Sequence, residues 1–193
     1  MKWRKRLDLA MCIVLAFALF TACADDVVPK PKGYFRITLP SEGHQGWTPP
    51  CPFSAELPHY AFVKPHANAR GTCWYDIEFP GLGATIYLTY QPVNGQLDQL
   101  IGDAHDMKSK HQSMAGRIDK ERVLRDSSEV WGLLFNVEGD VASPLVFYLT
   151  DSTNNFLYGS LYFNSVPNAD SLAPVTQRLR ADMRHFAQTL SWH

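Results

Sequence analysis

Three groups of residues in this chain have side chains suited to chemistry. They are the cluster Asp151-Ser152-Thr153, the histidines His44, His59 and His66 in a proline-rich stretch, and the carboxylates Asp76 and Glu78 two positions apart. A hydrolase using Asp151 or Ser152 with a loop histidine is the enzymatic alternative these residues allow, and a small-ligand-binding lipoprotein with a pocket beneath the 41–72 stretch is the non-enzymatic one. A serine nucleophile usually sits on a strained Gly-x-Ser-x-Gly turn, which the chain lacks. Asp and Ser after a strand are also what a turn requires, because their side chains bond the local backbone. The turn is the reading adopted. The loop histidines would have to converge in space to hold a metal, and no spacing rule ties them together. His105 and His111 are six apart on one expected helix, not the three or four that puts two ligands on one face, and His-Glu-x-x-His is absent. Asp76 and Glu78 fall on one face of a strand with carboxylates about 7 Å apart, read as a solvated face. Gly81-Leu82-Gly83 lacks the later glycine and the helix of a phosphate loop. No catalytic residue, cofactor or metal is assigned.

The cysteines carry a compartment signal. Cys12 and Cys23 belong to the N-terminal segment, leaving Cys51 and Cys73. An even remainder in an exported chain favours a disulfide, and a loop of about 20 residues would contribute roughly 3 kcal/mol in the chain-entropy model. Two separate buried thiols or a redox pair are the alternatives. Without Cys-x-x-Cys the redox reading is the weaker.

The elements that must position these residues are legible from hydrophobic period. Residues 143–164 hold two apolar, aromatic-rich runs around the polar cluster 151–155. Leu145, Phe147 and Leu149 face one way and Val146 and Tyr148 the other, so this is expected to be a hairpin covered on both faces, the centre of the fold. Alternation predicts strands at Tyr34–Leu39, Trp74–Phe79, Ala84–Gln91 and Val130–Glu138, with a charged edge strand at Ile118–Leu124. Apolar residues returning every three or four positions predict helices over 97–114 and 171–192. The second carries the stripe Leu172, Val175, Leu179, Met183, Phe186, Leu190, with Asp170 or Ser171 as cap and Pro174 in the first turn. Residues 41–72 show no sustained period and are punctuated by prolines, so an ordered loop packed by its own aromatics is expected. Trp47 and Tyr60 in that loop are the candidate partner contacts, because aromatics anchor interfaces; the bland alternative is that they cover the core. The order of elements implies an α+β domain, mostly antiparallel sheet covered by helices, over residues 34–193.

The N-terminus reads as a targeting device. Lys2, Arg4, Lys5 and Arg6 precede an apolar run, Leu9 to Ala22, that is shorter than the ~20 residues a spanning helix needs. The run ends Leu19-Phe20-Thr21-Ala22-Cys23, which resembles the lipobox of bacterial lipoproteins, with Phe20 where Leu is usual. Residues 1–22 are then a lipoprotein signal, Cys23 the lipidated residue and 23–33 a tether. Ala24 after the lipid cysteine leans toward the outer membrane, at its periplasmic face or the cell surface. Removing 1–22 moves the formal charge from −1 to about −4. With no Lys/Arg-dense stripe, nucleic acid is not a partner class.

Several segments taken together resemble the gliding-motility lipoprotein GldD family. They are the lipobox with Pro29-Lys-Pro-Lys-Gly-Tyr-Phe-Arg-Ile-Thr-Leu-Pro40, Cys51-Pro-Phe53, Cys73-Trp-Tyr-Asp-Ile-Glu-Phe-Pro80, Ala84-Thr-Ile-Tyr-Leu-Thr-Tyr90, Ala142-Ser-Pro144, Leu149-Thr-Asp-Ser-Thr153, Gly159-Ser-Leu-Tyr-Phe-Asn164 and Pro167-Asn-Ala-Asp-Ser-Leu172. The resemblance runs over the mature chain and is weakest from Asp98 to Glu129. It implies a non-enzymatic, lipid-anchored envelope protein that supports gliding and the linked type IX secretion machinery through contacts with other envelope proteins. It brings no catalytic residues. The element order also resembles the Mog1/PsbP-like α/β/α sandwich, an analogy of fold that carries no function.

Overall fold

The computed structural model describes residues 37–69, 73–109 and 115–193. The expected signal segment, Cys23, the tether, Tyr34 to Arg36 and His111 lie outside the described residues. In chain order the elements are β1 (His44–Trp47), β2 (Phe53–Pro58), β3 (Phe62–Pro65), β4 (Trp74–Phe79), β5 (Ala84–Pro92), α1 (Leu97–Ser109), β6 (Arg117–Arg125), β7 (Val130–Glu138), β8 (Leu145–Thr150), β9 (Asn155–Phe163), α2 (Ala169–Thr189) and β10 (Ser191–Trp192).

Every residue of β8 is buried, as its unbroken apolar run requires. It lies inside a seven-stranded sheet of order β3-β4-β5-β9-β8-β7-β6, in which each neighbouring pair is antiparallel. The two faces of β8 go to two different layers. Leu145, Phe147 and Leu149 join a large core built with Val175, Leu179, Met183 and Phe186 of α2 and with Phe53, Ala55 and Leu57 of β2. Val146 and Tyr148 face the other way, onto a smaller core closed by Leu97, Leu100, Ile101 and Ala104 of α1. The α+β class with helices over an antiparallel sheet is thus the observed one. A second, small sheet of order β1-β2-β10 lies on the α2 side of the large core.

Two glycines let the neighbouring strands approach β8 closely, one at a side chain and one at the backbone. A Cβ on Gly159 of β9 would stand 2.2 Å from Phe147 Cζ, and one on Gly132 of β7 would stand 2.0 Å from the Tyr148 carbonyl oxygen. Phe147 cannot swing clear, since its ring packs against Phe186 at 6.1 Å between centroids.

Three expectations change. Among the described residues, 37–43 pair with no strand, although Ile37 packs on the large core. The extended chain here is pinned by a side chain instead: Arg178 donates to the Ser41 carbonyl and pairs with Glu42, both at 3.3 Å. The proline-rich stretch 41–72 is not a loop without regular structure but holds β1, β2 and β3. Its strands are short and end at or beside prolines, as Pro58 and Pro65 show, because proline cannot donate to a ladder. Last, α2 begins and ends earlier than its apolar stripe suggests. Asn168 is the cap, accepting from the Ser171 N–H at 3.0 Å, so Pro174 lies beyond the first turn. Arg125 terminates the helix by donating to the carbonyls of Leu190 at 2.6 Å and Ala187 at 3.3 Å. The chain then turns out to pair Trp192 with Phe53 as β10.

Gly159→Ala tests the close approach at β8. Forcing the Phe147 ring from its place should destabilise the domain by about 1–3 kcal/mol in a denaturant titration; an unchanged midpoint contradicts the packing described.

Candidate functional site

The tip of the β8–β9 hairpin shows what Asp151 does. Its Oδ1 accepts from the backbone N–H groups of Thr153, Asn154 and Asn155 at 2.9, 2.8 and 2.8 Å, and its Oδ2 from the Asn155 side chain at 2.6 Å. Partial burial by itself pushes the carboxyl up. The N–H groups of Asn155, Thr153 and Asn154 and the Asn155 amide outweigh it and hold the carboxyl below the usual carboxylate range. Ser152 stands in the left-handed region with φ 66° and gives its N–H to the Thr150 hydroxyl at 2.9 Å. Among the described residues no histidine bonds Ser152. This is turn chemistry, in which both carboxylate oxygens are engaged by the turn itself.

The loop histidines go to separate places. His66 Nδ1 donates to Asp76 Oδ1 at 2.7 Å. Asp76 is only 9% exposed, so it is not the solvated strand residue its alternation suggests, whereas Glu78 does pair at the surface with Lys64 at 2.5 Å. His59 gives its backbone N–H to the Gly43 carbonyl. His105 packs its ring on Phe135 at 5.2 Å. Among the described residues no group of three His, Cys, Asp or Glu side chains is placed to hold a metal ion.

His44 belongs to a polar cluster that periodicity gives no sign of, because its members come from the 41–72 stretch and from α2. At its centre is Asp182, 3% exposed on the buried face of α2. The Tyr60 hydroxyl donates to Asp182 Oδ2, and Arg178 Nε lies 3.4 Å from the same oxygen, one turn back on the helix. Burial first, and then the Asp182 carboxylate, push the Tyr60 phenol well above its ordinary value, so it stays a protonated donor and no nucleophile. His44 stands 3.3 Å from Asp182 Oδ1 and stacks on His185 at 3.8 Å between centroids, while His185 pairs with Glu56 at 2.7 Å. A cavity of ≈ 370 Å³ opens beside them, lined by Glu42, His44, Arg178, Asp182, Arg184 and His185. The arrangement ties the start of the domain to α2 through charge-assisted hydrogen bonds. It holds carboxylates, imidazoles, guanidinium groups and the Tyr60 phenol, which is a protonated donor to Asp182.

Tyr60 and Trp47 are both partly buried against the large core. Trp47 packs edge-on against Tyr75 at 5.2 Å and Phe53 at 5.5 Å, and Tyr60 lies 5.8 Å from Phe79. Cys51 and Cys73 form a disulfide, with Cα atoms 6.0 Å apart, that fastens the start of β2 to the start of β4. No helix among the described residues is long and apolar enough to cross a membrane.

Asp151 gives a pH-dependent test. A depressed carboxyl pKa contributes stability that is complete above the unfolded value of about 3.9 and is lost as pH falls through the lower folded value. Asp151→Ala should cost about 1–3 kcal/mol at neutral pH, and the gap to the wild type should narrow below about pH 4. A gap that does not change with pH contradicts this role.

Among solved structures the chain is similar to cyanobacterial PsbP (CyanoP) from Synechocystis sp. PCC 6803. The TM-score is 0.47 at 9% identity, over 80% of this chain and 95% of that one. None of the curated proteins matches it in sequence. A family model described as gliding motility lipoprotein GldD matches residues 24–192, nearly the whole chain. The chain therefore belongs to the gliding motility lipoprotein GldD family.

Proposed function

We propose that this protein is a lipid-anchored accessory of the gliding apparatus and the linked type IX secretion machinery, acting through protein contacts and not through catalysis. Membership of a family of gliding motility lipoproteins is the observation that carries the reading. The engagement of Asp151 in its own turn agrees with a non-enzymatic role, since it withdraws the one sequence cluster that resembled a nucleophile site. The chain is cut before Cys23, acylated there, and held at the outer membrane through the 23–33 tether. Two or more acyl chains give a lasting anchor without a spanning segment.

The contact surface is the 41–72 segment, with Trp47 and Tyr60 at its base. Both rings are largely engaged by the core, so they support the surface more than they form it. The exposed side chains around them, Glu56 and His59, are the ones a partner reaches. Rigidity suits this task. The disulfide, the Tyr60–Asp182 hydrogen bond and the Arg178 contacts fix the segment to the rest of the domain at several points, which lowers the ordering cost of binding.

Crosslinking in intact envelopes with the wild type and Cys23→Ala tests the reading. The wild type should take up lipid label, fractionate with membranes and capture other gliding or secretion proteins. The variant should lose all three while keeping a wild-type thermal unfolding profile. A Cys23→Ala protein that still fractionates with membranes contradicts the anchor. A membrane-bound wild type that captures no other gliding or secretion protein contradicts the accessory role.

A further inference from the structure

Helix α1 covers β8 and β9 but leaves open the part of the same sheet face that belongs to β3, β4 and β5. The open part is aromatic. Phe62 is 64% and Tyr87 40% exposed, and Trp74 and Tyr158 are partly buried beside them. Strand register puts them on one face, with Trp74 opposite Thr89, Thr89 opposite Tyr158 and Tyr87 opposite Ser160. Two hollows lie along this face. One of ≈ 290 Å³, against α1, is lined by Trp74, Thr89, Gln91, Asp103 and Tyr158 among others. The next, of ≈ 240 Å³, is lined by His66, Trp74, Asp76, Tyr87 and Thr89 among others. Trp74 and Thr89 belong to both, so the two hollows flank a single indole.

The chemistry of the lining narrows the ligand. Among the described residues neither hollow is lined by Lys or Arg, and each presents a carboxylate, Asp103 in one and Asp76 in the other; Lys64, opposite Asp76 in the strand register, is paired with Glu78. Phosphates and other anions are thereby disfavoured. The hollows lie over β4 and β5, whose backbone groups are already paired with strands on both sides, so within them recognition falls to side chains; the edge of the sheet is at β3. Those side chains are flat aromatic faces and hydrogen-bond groups in which acceptors predominate: two carboxylates, the Thr89 hydroxyl and the Gln91 amide. Asp76 is held in place by His66, whose ring stands perpendicular to Tyr87 at 6.0 Å. A pyranose ring offers the complement: an apolar face of C–H bonds to lie on an aromatic ring, and a rim of hydroxyls that donate to carboxylates.

We propose that this groove binds a neutral oligosaccharide of at least two rings, one in each hollow, with Trp74 as the platform between them and Asp76 and Asp103 accepting from ring hydroxyls. Each hollow is at or below the lower end of the range for small-molecule sites, which suits one ring apiece and a longer chain running along the sheet face.

Titration of the full chain, kept in a non-glycosidic detergent, with cellotetraose and with chitotetraose tests the proposal, reading tryptophan fluorescence. At least one should give a saturable change. Asp103→Ala alters an exposed residue of α1, leaves thermal unfolding unchanged, and should weaken binding several-fold. Trp74→Ala, which removes the fluorescent reporter and is therefore read by titration calorimetry, should weaken it about tenfold or more, the loss expected for one stacked aromatic platform. No saturable change with either sugar overturns the proposal, as does binding that Asp103→Ala and Trp74→Ala both leave intact. Saturation by tetramethylammonium in place of either sugar also overturns it, assigning the aromatic and acidic lining to an organic cation.

Discussion

The rest of the structure depends on the need to cover β8 on both sides. Its six residues, Leu145 to Thr150, are all buried, and a strand of this kind is stable only with a layer on each face. Helix α2 and the small sheet supply one layer and α1 the other. The two coverings differ in size. The α2 side gathers most of the large buried side chains, among them Phe53, Phe79, Phe147 and Phe186, each worth about 1.5–3 kcal/mol relative to exposure. The α1 side is a small patch around Phe135, Val146, Tyr148 and Phe156. That inequality leaves β3, β4 and β5 with one face on the main core and the other open along the groove.

Polar residues brought into such a fold need partners, because an unpaired buried group costs several kcal/mol. Asp151 is satisfied within its own turn, Asp182 by Tyr60 and Arg178, and Asp76 by His66. Asp151 and Asp76, which suggested reactivity on the basis of type, are tied to neighbours by hydrogen bonds of structural use. The Asp182 cluster does more than satisfy a carboxylate. It joins residues 41–60 to a helix well over a hundred positions later, so the segment that leaves the domain toward its N-terminus is held where it departs.

What the sequence conveys and what it conceals divide along a physical line. Local period placed β4 to β9 and the stripe of α2, and it assigned the two faces of β8 correctly, since those features depend on neighbours in the chain. The Asp151 turn was legible for the same reason, as was the Cys51–Cys73 pair from cysteine counting. Strands β1, β2 and β3 were hidden because they are short, bounded by prolines, and stabilised by distant partners such as Trp192 and the β4 ladder. The polar clusters were hidden more deeply. Asp76 looks solvated from its alternation, and only the return of His66 along the sheet edge encloses it. Nothing near Asp182 in sequence announces Tyr60 or His44. Trp47 and Tyr60 were notable as loop aromatics, yet only the fold shows how much of each ring the core takes up.

Native-state hydrogen exchange tests the central claim most directly. If β8 is the element that both layers exist to cover, its amides and those of its partners on β7 and β9 should open only with global unfolding, while β3 and α1, with less burial, exchange through cheaper local openings. Protection of Phe147 and Tyr148 equal to the free energy of global unfolding is the predicted result. Exchange of β8 at a markedly lower free energy than β4 or β5 would contradict the account, and would mean that the fold is organised around a different strand.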